Sequence, residues 1–150
     1  MTRHTPKRLR YSVLVSLIGL VLSGFMSAPG ALAQEEPLIL EINITGATLD
    51  RSGVVTVTGT VTCTEPAQLN FLTVYVTQPV GRTGSVNGNA SAGGAVGQCE
   101  PTAPFNFSMA VTPYNGRFVP GQTFFNAFVD GCAPDSCDSD DIIVSRRLRH

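Results

Sequence analysis

From Val54 to Cys63 the chain alternates with a period of two: Val55, Val57, Val61 and Cys63 fall on one side, and Thr56, Thr58, Thr60 and Thr62 on the other. Only an extended strand places residues i and i+2 on one face, and β-branched side chains suit its pleated surface. The segment predicts a half-buried strand. The same period recurs along the chain and helical spacing does not. Leu38, Leu40, Ile42 and Ile44 alternate in a first strand, with Asp50-Arg51-Ser52-Gly53 as the turn that follows. Leu69 to Gln78 sets Leu72, Val74 and Val76 opposite Leu69, Phe71, Thr73, Tyr75 and Thr77. Phe105 to Val111 carries Phe105, Phe107, Met109 and Val111 on one face, and Thr123 to Asp130 and Ile142 to Leu148 supply two more strands. Glu65-Pro66, Asn115-Gly116 and Pro120-Gly121 mark breaks and turns, so that Tyr114 to Gly121 should turn the chain twice. Residues 79–98 hold six glycines among small polar residues, which predicts an edge hairpin or a mobile loop that buries little.

The first residues read differently. Arg3, Lys7, Arg8 and Arg10 precede an apolar run from Ser12 to Met26, and small residues then close on Ala31-Leu32-Ala33. The run is short for a membrane span, and the order of basic, apolar and small residues is that of a secretory signal peptide over residues 1–33, cut before Gln34. No cysteine stands at the junction to carry lipid, and Lys7-Arg8 is not the arginine pair of a twin-arginine signal. The expected mature domain, 34–150, keeps 117 of the 150 residues, enough for one core and too few for two. About seven short antiparallel strands in that length argue for an all-β immunoglobulin-like sandwich.

All four cysteines, Cys63, Cys99, Cys132 and Cys137, lie in the mature part. An even set in an exported chain reads as disulfides and places the domain outside the cytosol, secreted or held in the cell envelope. Three connectivities are open. Cys63 with Cys99 and Cys132 with Cys137 is favoured, because four residues between the last two close a loop readily. Zinc is the competing use, but neither CxxC spacing nor a nearby histidine accompanies these cysteines.

Charge and residue usage then exclude function classes. The mature part has six arginines against eleven acids, and no lysine follows position 7. An acidic domain gains little from phosphate backbones, so nucleic acid is not an expected partner. Nucleophilic catalysis wants a base beside serine or cysteine, and the mature part offers only His150. No catalytic residue is assigned and no enzyme is expected. Arg146-Arg147-Leu148-Arg149-His150 reads as a solvated, frayed terminus, or else as a docking tail for anionic envelope polymer or lipid.

Between Gly53 and Cys137 the chain resembles a group of exported bacterial immunoglobulin-like domains that mostly lack assigned functions. The likeness rests on Gly59-Thr60-Val61-Thr62-Cys63, on Phe118-Val119-Pro120-Gly121 followed by alternating Thr123, Phe125, Ala127 and Val129, and on Cys132 and Cys137. A remoter resemblance is to the neocarzinostatin group of secreted apoproteins, which implies a cleft for an apolar chromophore. Cys132 and Cys137 match that group's late cysteine pair. Cys63 and Cys99 depart from it, since thirty-five residues lie between them where that group has a short loop.

Two clusters are candidate sites. Asp135, Asp138, Asp140 and Asp141, with Asp130 close by, offer oxygens to calcium, although no EF-hand loop is present. The plainer reading is an acidic turn that keeps the last strand from pairing with a neighbour. Phe71, Tyr75, Phe124 and Phe128 form the second cluster, because the strand from Thr123 to Asp130 is apolar on both faces. They are either an outward ligand-binding stripe or ordinary core covered by the Gly-rich segment or the first strand. Asn43, Asn89 and Asn106 begin glycan acceptor patterns, which carry no weight in a bacterial chain. The reading is a non-enzymatic exported module that recognises a protein or envelope polymer. A soluble carrier of a small apolar or aromatic ligand stands second, and a calcium-binding domain third.

Overall fold

Val55, Val57 and Val61 are fully buried and the threonines between them point away from the core, as the alternation requires. The computed structural model describes residues 37–149, so the leader assigned to residues 1–33 lies outside the described residues. Among the described residues the secondary structure is entirely β: β1 (Leu40–Leu49), β2 (Val55–Cys63), β3 (Ala67–Val80), β4 (Gly84–Cys99), β5 (Phe105–Pro113), β6 (Gly121–Cys132) and β7 (Cys137–Leu148). Their spatial order is β1-β2-β5-β4-β3-β6-β7, every neighbouring pair antiparallel. The ladder is thin at one place, where β4 meets β5 only through Gly88 opposite Pro113 and Asn89 opposite Thr112. Asn115 reinforces that corner by accepting from the Asn87 N–H and donating to the Ser85 carbonyl.

The first and last strands of this order meet, and side chains join them. The Leu38 N–H donates to Ser136 Oγ, the Leu40 N–H to Asp138 Oδ2 at 2.7 Å, and the Ile42 N–H to Asp140 Oδ2 at 2.8 Å. The partners advance in step, so β1 and β7 run parallel. Farther along, the Arg146 guanidinium donates to the carbonyls of Ile44 and Thr45. The result is a nearly closed barrel whose last seam is made largely of carboxylates and a guanidinium.

Three sequence expectations change. The Gly-rich segment 79–98 is neither an edge nor a mobile loop: most of it is β4, an interior strand of the order between β5 and β3. Two of its glycines mark the close approach of a neighbour. A Cβ at Gly97 would overlap the Phe105 ring, and one at Gly88 would meet the Thr112 carbonyl. Leu69 does not oppose Leu72. A bulge between Leu69 and Phe71 shifts the register, and both leucines enter the core. The basic segment 146–149 is no frayed tail, because Arg146, Arg147 and Leu148 belong to β7 and Leu148 is 1 % exposed. The segment 114–121 turns as expected from its Asn115-Gly116 and Pro120-Gly121 pairs, and it also contributes Phe118 to the core.

Phe118 is anchored by a buried amide. Gln78 lies on the inward face of β3, donates Nε2 to the Val119 carbonyl and Thr123 Oγ1, and accepts the Val119 N–H on Oε1. A primary amide satisfies donor and acceptor at once, which is what a loop strand crossing an apolar barrel end needs. No buried side-chain nitrogen or oxygen among the described residues is left without a partner.

Both disulfides take the favoured connectivity. Cys63–Cys99 ties the end of β2 to the end of β4, with both cysteines buried, and Cys132–Cys137 closes the β6–β7 hairpin. Such bonds persist in oxidising compartments. No helix among the described residues is long and apolar enough to cross a membrane.

The β1–β2 turn yields a pH prediction. The Ser52 hydroxyl donates to Asp50 Oδ1, as do the N–H groups of Val54 and Ser52, and together they hold the Asp50 carboxyl below the usual carboxylate range. A depressed folded pKa means that the turn's contribution is complete above the unfolded value of about 3.9 and is lost as pH falls through the lower folded value. An NMR titration should place the Asp50 midpoint below 3.8. Ser52→Ala should move it up, and an unchanged midpoint in that variant would remove the hydroxyl as the main cause.

Candidate functional site

β6 places its two apolar faces differently. Phe125, Ala127 and Val129 are buried in the core, so Phe124 and Phe128 must point away from it. β3 does the same beyond its bulge, burying Leu72, Val74 and Val76 and turning Phe71 and Tyr75 outward. Pairing then interleaves the two sets. Tyr75 stands opposite Asn126, Thr77 opposite Phe124, Thr73 opposite Phe128, and Phe71 opposite Asp130. Paired residues share a face, so the rings step from strand to strand in the order Phe71, Phe128, Tyr75, Phe124 along the β3–β6 join.

This zigzag is open to solvent. Phe71 is 39 % exposed, Tyr75 51 % and Phe124 43 %, while Phe128 is half-buried with its ring centroid 6.3 Å from that of Phe71. Ile143, opposite Asn126 on β7, is 67 % exposed and extends the patch. Neither segment suggested as a cover lies over it: β4 sits beside β3 in the same sheet, and β1 pairs with β2 and meets β7 at the seam. The Gly-rich strand supplies a polar margin instead, with Asn87, Asn89 and Ser91 opposite Thr77, Tyr75 and Thr73. Thr73, only 1 % exposed, hydrogen-bonds to Ser91 at 2.7 Å and forms a floor between the rings. Six aromatic or polar outward positions were legible from alternation, but β4's part was hidden by its glycines.

The aspartates do not converge. Asp138 and Asp140 point inward at the seam and are engaged by the amides of β1. Asp141 and Asp130 lie on the opposite, outer face, and Asp135 is in the β6–β7 turn. No group of three or more metal-ligating side chains comes together among the described residues. The four residues proposed from sequence as calcium ligands are thus divided between a structural seam, a turn and a surface, because strand alternation sends neighbours to opposite faces.

An open hollow of about 350 Å³ lies at the disulfide end, lined by Pro66, Ala67, Gln68, Gln98, Glu100, Cys132, Ala133 and Pro134. Phe71, Tyr75, Phe124 and Phe128 take no part in it. The aromatic residues form a surface and not the wall of a cleft. No protein-family model matches the chain, and no curated protein matches it.

Proposed function

We propose that this is a non-enzymatic, exported immunoglobulin-like module that works by surface recognition, with the outer face of β4, β3, β6 and β7 as its contact surface. The observation that carries the reading is the run of exposed rings at Phe71, Tyr75 and Phe124 on a sheet face that no other strand among the described residues covers. Leaving large rings in water costs apolar transfer free energy, and contiguous exposed patches generally mark contact sites. The strand order supports the immunoglobulin-like assignment: β1-β2-β5 and β4-β3-β6-β7 form two halves joined by a narrow corner. Two disulfides fit an oxidising location, secreted or in the envelope. A partner outside the cell, met by a flat face, accounts for these features better than a carrier role, because the rings do not enclose a cavity.

The test is sedimentation of labelled, oxidised protein with intact cells and extracellular material of the producing organism. The native protein should pellet, and the double variant Tyr75→Ala/Phe124→Ala should lose at least ten-fold in retention while keeping both disulfides and its melting temperature. Equal retention of the two would remove this face from the function.

A further inference from the structure

The chemistry of the face narrows its ligand. Resting on the surface-recognition reading above, we propose that the aromatic zigzag binds a neutral polysaccharide, one chain lying along the β3–β6 join. Three observations carry this. The first is composition: the rings are bordered by Asn89 on one side of Tyr75 and Asn126 on the other, with Ser91 and Ser145 in the flanking strands. Carboxamides and hydroxyls both donate and accept, as vicinal sugar hydroxyls do, while flat rings offer their faces to the C–H side of a pyranose.

The second is charge. The ionisable side chains that the pairings place beside the rings are Asp130, opposite Phe71, and Asp141, opposite Phe128, both acidic, while Arg147, opposite Gln122, lies at the end of the face beyond Phe124. With six arginines against eleven acids over residues 34–150, the domain repels a polyanion, and the one arginine that the pairings place on this face, Arg147, stands at its end. The third is size. From Phe71 to Thr77 the face runs about 20 Å, and four strands span about 14 Å, giving roughly 300 Å². A stable protein interface needs about 800 Å² per partner, so a second copy of this chain is too large an occupant for the patch alone. A single extended glycan chain has the right width and leaves its other side in water.

The experiment is affinity electrophoresis and pelleting of the oxidised protein with cellulose, chitin, β-1,3-glucan and xylan as neutral probes, and polygalacturonate as the anionic one. Binding to at least one neutral probe is expected, reduced ten-fold or more by Tyr75→Ala and by Phe124→Ala, and little changed between low and high salt. Ile39→Ala, at an exposed position just before β1 and outside the strands that carry the rings, is the control and should bind as the native protein does. Retention only on polygalacturonate, or neutral binding indifferent to both ring variants, would overturn the proposal. If the native protein pellets with cells through Tyr75 and Phe124 yet ignores every neutral probe, the sugar class falls and the surface-recognition reading stands.

Discussion

Replacing Cys63 and Cys99 together by alanine should lower the free energy of unfolding by about 4 kcal/mol, from the chain entropy of the loop that the bond closes. The two cysteines are 36 positions apart. Cys132 and Cys137 are 5 apart, so the same reasoning gives about 2 kcal/mol for their removal. The long bridge also has a topological role. It joins β2, in the half built from β1, β2 and β5, to β4 in the other half, and those halves share a ladder of only two residue pairs. Urea unfolding of the two double variants under identical conditions checks the order. Equal losses would show that loop length is not what governs these bonds.

The second large effect is expected at the seam. Asp138→Ala/Asp140→Ala leaves the N–H groups of Leu40 and Ile42 without acceptors at a part-buried position, at a cost of about 1–3 kcal/mol each. Asp138→Asn/Asp140→Asn keeps an acceptor oxygen at each site and loses only the charge assistance, so it should retain more than half of the difference. Hydrogen exchange at Leu40 and Ile42 should accelerate in the alanine variant well beyond exchange at Val57, which belongs to the ladder of β2. If the two double variants are equally stable, the carboxylates do not hold β1. A seam of this kind also explains how the barrel avoids exposing edges. Backbone groups of β1 that would otherwise invite a foreign strand are consumed by β7 side chains.

Much of the fold was legible because most strands bury one face only. In β2, β3 and β6 the inward positions Val55, Val57, Leu72, Val74, Phe125 and Ala127 follow a strict two-residue period, and that period survives any tertiary arrangement. The same logic exposed the rings on β3 and β6, since a strand that is apolar on both faces must send one set outward unless something covers it. What could not be read has physical causes. β4 lacks a period because its glycines answer to Phe105 and Thr112, residues that are distant in sequence. Asp138 and Asp140 look like a solvated turn until β1 is known to lie beside them. Arg146 and Leu148 look like a terminus until the first strand supplies carbonyls for one and the core takes in the other. In each case the missing information was which strand stands next to which.

The placement of the two sulfur bridges has a consequence for how the chain behaves when cut. Peptide bonds from Thr64 to Gln98 are spanned by the longer bridge and those from Ala133 to Ser136 by the shorter one. A protease that nicks the tip of either hairpin therefore yields two pieces that still migrate as one until a reductant is added. Cleavage before Cys63, between Cys99 and Cys132, or after Cys137 would instead part the described domain outright, whereas β3 and β4 stay tethered even after damage at their own turn.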